Sequence, residues 1–158
     1  MKVAVIMGSK SDYPKLEEGI NLLKRFGIEV EKRVLSAHRT PNQLMEFMKN
    51  IDDVDVMIAA AGKAAHLGGV IASHTLKPVI GIPIKSSTLD GLDSLLSMVQ
   101  MPKGIPVATV TIDSSLNASL LAIQIMSLKY ENLKIELANY RKEMAEKVLE
   151  DDEIVRNL

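Results

Sequence analysis

Apolar runs and helical stretches take turns along almost the whole chain, and this alternation limits the possible folds more than any single residue does. Val3 to Met7 is an unbroken aliphatic run that stops at Gly8-Ser9-Lys10-Ser11-Asp12 and reads as a buried strand. From Tyr13 the period changes. Leu16, Ile20 and Leu23 fall four and three apart, with Ser11 or Asp12 available as N-cap, Pro14 in the first turn and Gly27 as the stop. The plan then repeats: Ile28 to Leu35 is strand-like, and Thr40 caps a helix running from Pro41 through Met48. Strands at 54–62, 78–84 and 107–112 follow, separated by a small-residue helix over 64–75 and a helix near 91–100, with another around Asn117 to Leu128. Aliphatic strands alternating with helices predict a three-layer α/β/α fold on a parallel, flavodoxin/Rossmann-like sheet of about five strands. A last helix from Asn132 carries Leu133, Leu137, Tyr140, Met144 and Val148 on one stripe. Residues 1–158 therefore read as one domain, with 132–158 a C-terminal helix suited to oligomer packing.

Composition narrows the function classes. Lys+Arg 19 against Asp+Glu 20 leaves no global basic field to draw the chain to nucleic acid. Aromatic residues make up 3% and there is no Trp, which disfavours stacking platforms for single strands. The absence of cysteine removes disulfides and thiolate metal sites. The apolar run at 3–7 is too short for a signal-peptide core or a membrane span. The expectation is a soluble, cytoplasmic protein with no nucleic-acid or membrane partner.

In a parallel sheet of this kind ligands bind in the crevice beyond the carboxyl ends of the strands. Four segments fall there: GSKSD (8–12), SAHRT (36–40), GKAAHLGG (62–69) and KSSTLDG (85–91). GSKSD feeds a helix N-terminus, where free amides suit a phosphate or carboxylate, and it reads equally well as a plain capped helix. It lacks both the dinucleotide and the Walker glycine patterns. Asp12 in such a mouth points to sugar hydroxyls rather than phosphate. SAHRT places a hydroxyl, an imidazole and a guanidinium within four residues. Arg39 is able to clamp a phosphate, and histidine as a residue type moves protons near neutral pH. Taken alone, a loop-capping His38 and a surface Arg39 explain SAHRT as well or better. A lone His66 in an alanine-rich segment is more often packed than catalytic, and His38, His66 and His74 lack the spacing of a metal motif.

Together and in this order, MGSKSD, SAHRTP, AAHL, PVIGIPI, LDGLDSLLSMVQMPKGIPVAT and NASLLA resemble the 5-(carboxyamino)imidazole ribonucleotide mutases, carboxylation enzymes of de novo purine synthesis. The matching runs extend from residue 3 to about 130. The resemblance implies an octamer with sites at subunit junctions, and chemistry without metal or organic cofactor. By the same resemblance His38 is the general acid/base, while Arg39, Ser36 and Ser11 hold the ribonucleotide phosphate. Asp12 binds ribose hydroxyls, and Ser9 with the backbone of Ala64, Ala65, His66 and Leu67 surrounds the base and the migrating carboxylate. The opposing readings are a direct carbon dioxide-dependent aminoimidazole ribonucleotide carboxylase and a non-catalytic flavodoxin-like module that only binds a nucleotide. Lys63 and Gly68 depart from the Gly-Gly-Ala-Ala-His-Leu-Pro-Gly usual in mutases, and a basic residue at 63 is typical of the carboxylase branch. Arg39 and Pro83-Ile84-Lys85-Ser86 follow the mutase pattern, and His38 argues against a module without proton transfer. The segment 111–117 is shorter than in many relatives, which leaves its loop to be determined.

Overall fold

A computed structural model describes residues 1–87 and 89–158. Five parallel strands form one sheet: β1 (Lys2–Met7), β2 (Glu29–Val34), β3 (Val56–Gly62), β4 (Val79–Ile84) and β5 (Ala108–Thr109). Their order is β2-β1-β3-β4-β5, so the chain reverses its direction of travel across the sheet between β1 and β3. Ligand crevices of doubly wound folds open at that reversal, beyond Met7 and Gly62. The helices are α1 (Tyr13–Arg25), α2 (Pro41–Met48), α3 (Leu67–Ala72), α4 (Leu92–Val99), α5 (Ser115–Met126) and α6 (Glu131–Arg156).

Burial explains why the central strands are so apolar. Every residue of β4 and all but the last of β3 are buried, because helices cover both faces of the sheet. On one face Val3, Val5, Met7, Ile58, Ile80 and Ile82 pack with α1 and α5. On the other Ala4, Ile6, Met57 and Ala59 meet residues of α2 and α3 together with Met98. The edge strand β2 is different: its Glu29, Glu31, Lys32 and Arg33 keep a charged edge that resists pairing with another sheet. Helices α1 and α5 approach so closely that a side chain at Gly19 would overlap the Ser115 carbonyl. The contact is hydrogen-bonded both ways, Gly19 N–H donating to Ser115 Oγ at 3.2 Å and Ser119 Oγ donating to the Gly19 carbonyl at 2.9 Å.

Several elements differ from the periodicity reading. The third helix is only Leu67–Ala72, because Lys63 takes a φ of 56° and Ala64 to His66 form the loop that leaves β3. The fifth strand pairs through two residues rather than the six of 107–112, since Val110 N–H still bonds the Gly81 carbonyl but Asp113 turns left-handed at φ 56°. Thr40 sits at the start of α2 without capping it; its hydroxyl is engaged by Ser36 instead. Asp12 is the N-cap of α1, as read from the sequence, but its side chain makes no capping bond there; the capping hydroxyl is that of Ser9, at the start of a 3-10 turn over Lys10–Asp12 that precedes α1. Gly27 does end α1, at φ 70°. In α6 the predicted stripe divides: Leu133 and Leu137 are buried on the domain and Tyr140 packs edge-on to Phe26, whereas Met144 and Val148 are 52% and 66% exposed. No helix among the described residues is long and apolar enough to cross a membrane.

Candidate active site

The four loops leaving β1, β2, β3 and β4 enclose a cavity of about 630 Å³. Its floor is Ala61, Gly62 and Ile84 at the strand ends, and its walls are the loop residues.

The first wall is organised by Ser9. Its Oγ accepts from the Ser11 hydroxyl at 2.8 Å and the Ser11 amide at 3.3 Å, while the Ser9 amide donates to Asp12 Oδ2 at 3.1 Å. Serine, serine and aspartate thereby form a short polar rim with its hydroxyls and carboxylate on the cavity. Burial pushes the Asp12 carboxyl above its ordinary value, and the Ser9 amide, the Ser11 hydroxyl and the charges of Lys15 and Arg39 only partly offset that rise.

The second wall is a tight turn. Ser36 N–H donates to Thr40 Oγ1 at 2.8 Å, and Ser36 Oγ accepts from the amides of His38 and Arg39 at 3.3 and 3.2 Å. This wraps the backbone around Ser36, leaving the His38 and Arg39 side chains to project. Arg39 Nη2 donates to the Gly8 carbonyl at 2.6 Å, which ties the second loop to the first. The guanidinium keeps further donors for an anion.

The third wall brings His66 to His38. Their rings meet edge-to-face, with His38 Nε2 2.9 Å from His66 Nδ1. A hydrogen bond at that distance needs one proton between the two nitrogens, so the tautomers of the rings are linked. His66 is thus an exposed side chain on the cavity rather than a packed core histidine; among the described residues no group of three His, Asp or Glu side chains is placed around a metal position.

Of the residues the sequence singled out, Ser9, Ser11, Asp12, Ser36, His38, Arg39, Ala64, His66 and Leu67 all line this cavity. Ala65 does not: at 1% exposure its side chain belongs to the core under the loop, so only its backbone is near the site. The structure adds Lys63, Ile84, Lys85 and Ser86 to the lining. The KSSTLDG segment was legible as a crevice loop, but Thr88 in it lies outside the described residues. Lys63 reaches the cavity because its left-handed backbone, unusual for a residue with a β-carbon, turns the chain between Gly62 and Ala64.

The sequence profile of the AIR carboxylase family matches residues 2–147. The chain belongs to the AIR carboxylase family. Among its relatives, the N5-carboxyaminoimidazole ribonucleotide mutase of Methanocaldococcus jannaschii is 54% identical over 156 residues, covering 99% of this chain and 98% of that protein. The mutase of Pyrococcus horikoshii is 53% identical over 150 residues, 94% of this chain and 85% of that one. Among solved structures, PurE of Treponema denticola superposes with a TM-score of 0.88 at 33% identity, covering 96% of each chain. Within this family fold, the crevice at the β1/β3 reversal holds the polar loops described above.

Proposed function

We propose that the chain is an N5-carboxyaminoimidazole ribonucleotide mutase of purine biosynthesis, an isomerase that moves a carboxyl group from the exocyclic nitrogen of its substrate to a ring carbon. The observation that carries the reading is the pairing of His38 and His66 at 2.9 Å in the mouth of a cavity whose other walls suit a sugar phosphate. The names of relatives above 50% identity support the same reaction.

The residues divide the work by chemistry. Arg39, with Ser36 and Ser11, holds the phosphate through charge-assisted and hydroxyl hydrogen bonds. Asp12 accepts from ribose hydroxyls. Ser9 and the backbone from Ala64 to Leu67 surround the base and its carboxyl group. His38 donates a proton to the carbamate nitrogen, the N–C bond breaks, and carbon dioxide leaves an aminoimidazole. The ring carbon attacks the trapped carbon dioxide, and His38 takes back the proton displaced from that carbon, returning to its starting state. Release of carbon dioxide beside the ring carbon gives recapture an effective-concentration advantage over escape. His66, bonded to His38 Nε2, links the tautomers of the two rings.

Assembly belongs to the same proposal. Leu92, Leu96 and Val99 form an exposed stripe along α4, and Met144 and Val148 another along α6. Two such stripes on one domain suit a homo-oligomer, and the octamer implied by the family resemblance is the assembly proposed, in the cytoplasm. The deciding experiment compares turnover of the purified protein on the carbamate with turnover on aminoimidazole ribonucleotide plus bicarbonate. Efficient use of the carbamate is expected. Preference for bicarbonate assigns the carboxylase reaction, for which Lys63 in the cavity wall is the feature in favour, and turnover of neither leaves a binding module.

A further inference from the structure

The fourth wall of the cavity is held in an unusual way. Among the described residues, β3 accompanies β4 as far as Ile84 and β5 only as far as Gly81, so no strand runs beside Lys85. The main-chain groups of Lys85 are met by two side chains instead: its amide donates to Asp113 Oδ1 at 2.8 Å, and its carbonyl accepts from Lys15 Nζ at 2.9 Å. Lys15 and Asp113 are themselves paired, Nζ lying 2.8 Å from Oδ2 and 3.0 Å from Oδ1. Asp113 is aimed at Lys85 by its left-handed φ of 56° and by its amide, which donates to the Pro83 carbonyl at 2.9 Å.

The ends of this pin matter. Lys15 lies on α1 one turn beyond Asp12, which lines the first wall. Asp113 lies in the turn before α5, in the shortened segment. Lys85 and Ser86 line the cavity. On its other side the same strand end is anchored inside the protein, where the buried Ser94 Oγ donates to the Ile84 carbonyl at 3.1 Å. The buried anchor serves the fold. The Lys15–Asp113 pair is about one-third exposed, 33% and 30%, at the rim, where an ion pair by itself adds little to stability.

We propose that Lys15 and Asp113 are a positioning pair for the substrate: they lock the Lys85–Ser86 wall to α1, so that the first and fourth loops meet a ribonucleotide as one preorganised surface. The inference rests on the mutase reading of the cavity. Neither residue touches the reacting atoms, so the pair acts on binding and leaves the proton transfers to His38.

The test uses the full-length protein with Lys15→Met, Lys15→Arg, Asp113→Asn and the double variant Lys15→Met/Asp113→Asn. Lys15→Met and Asp113→Asn are each expected to raise KM for the carbamate by about three- to tenfold with kcat within about twofold, the pattern of lost uniform binding. The double variant is expected to be no worse than the poorer single one, because both remove the same interaction. Lys15→Arg is expected to keep KM near the wild-type value. Hydrogen exchange on the ligand-free protein supplies a readout independent of activity, with faster exchange confined to the peptide containing Lys85 and Ser86. An unchanged KM and unchanged exchange in Lys15→Met overturn the proposal. So does exchange that rises equally across α1 and β4 with a matching fall in Tm, which marks a purely structural contact. An inactive wild type with the local exchange effect intact strikes the mutase reading and leaves the pin in place.

Discussion

His38 and His66, 28 residues apart in the chain, share one hydrogen bond of 2.9 Å across the mouth of the cavity. Neither loop alone defines a proton donor. Perpendicular and bonded, the two rings have linked tautomers: a nitrogen that carries the shared proton on one must face a bare nitrogen on the other.

That coupling separates the two residues in a mutational test. His38→Asn keeps a hydrogen-bonding side chain of similar size but removes proton exchange, so kcat is expected to fall by about 10²–10⁴-fold with ribonucleotide affinity retained. His66→Asn leaves His38 in place with an amide partner and is expected to lower kcat by less. Steady-state kinetics and equilibrium binding of the two variants check this; near-normal turnover by His38→Asn removes it from the reaction.

Asp12 should show a conflict between binding and stability. Burial raises its pKa in the folded protein, so the folded state holds the proton more tightly than the unfolded chain does, and ionisation of Asp12 opposes folding above that pKa. Asp12→Asn keeps an acceptor for the Ser9 amide and removes the charge. A Tm higher by about a degree or two is expected at neutral pH, together with weaker ribonucleotide binding. Calorimetry and titration of the variant measure both; a lower Tm contradicts the account.

Asp55 behaves in the opposite sense. Burial alone pushes its carboxyl up, but the Lys2 amide at 3.0 Å, the Tyr130 hydroxyl at 3.0 Å and Lys129 Nζ at 3.2 Å outweigh burial and hold it below its ordinary 3.8. Its contribution to stability is therefore complete above that ordinary value and is lost as pH falls through the lower folded value. Asp55→Ala is expected to cost about 2 kcal/mol at pH 7 by stranding these donors, and to flatten the acid limb of the stability curve. Urea titrations from neutral pH into the acid range test it.

Lys63 is strained and faces the cavity. A left-handed lysine costs roughly 1 kcal/mol, which Lys63→Gly relieves while adding freedom to the unfolded chain, so stability is expected to change by less than about 1 kcal/mol. The preference for the carbamate over aminoimidazole ribonucleotide plus bicarbonate is expected to survive the substitution, because His38 and Arg39 are untouched. A variant that reverses this order makes Lys63 the residue that chooses the reaction.

Assembly can be probed without damaging the domain. Removing everything from Asn132 would strip Leu133 and Leu137 from the core, so loss of the oligomer in that truncation is ambiguous. Met144→Glu with Val148→Glu charges only the exposed half of the stripe. Sedimentation is expected to show an octamer for the wild type and smaller species for the double variant. A monomeric wild type at micromolar concentration contradicts the assembly itself.

What the sequence determined by itself was the layer plan and the identity of the polar loops. Central strands buried on both faces must be continuously apolar, as in Val56–Gly62 and Val79–Ile84, and helices must carry a periodic stripe, as in Leu16, Ile20 and Leu23, so both signals are local. Polar clusters at strand ends were equally visible, because nothing in the core requires Ser36, His38 and Arg39 there. Only the tertiary structure decided which distant groups meet. The contact between His38 and His66 depends on β2 and β3 both flanking β1, and that between Lys15 and Asp113 spans 98 residues. The same limit applies to helix ends and stripes: Thr40 has a capping side chain that Ser36 claims, and the stripe on α6 is continuous in sequence while the domain beneath it ends near Tyr140. Periodicity reports which residues share a face, and only the packed neighbours decide how much of that face is covered.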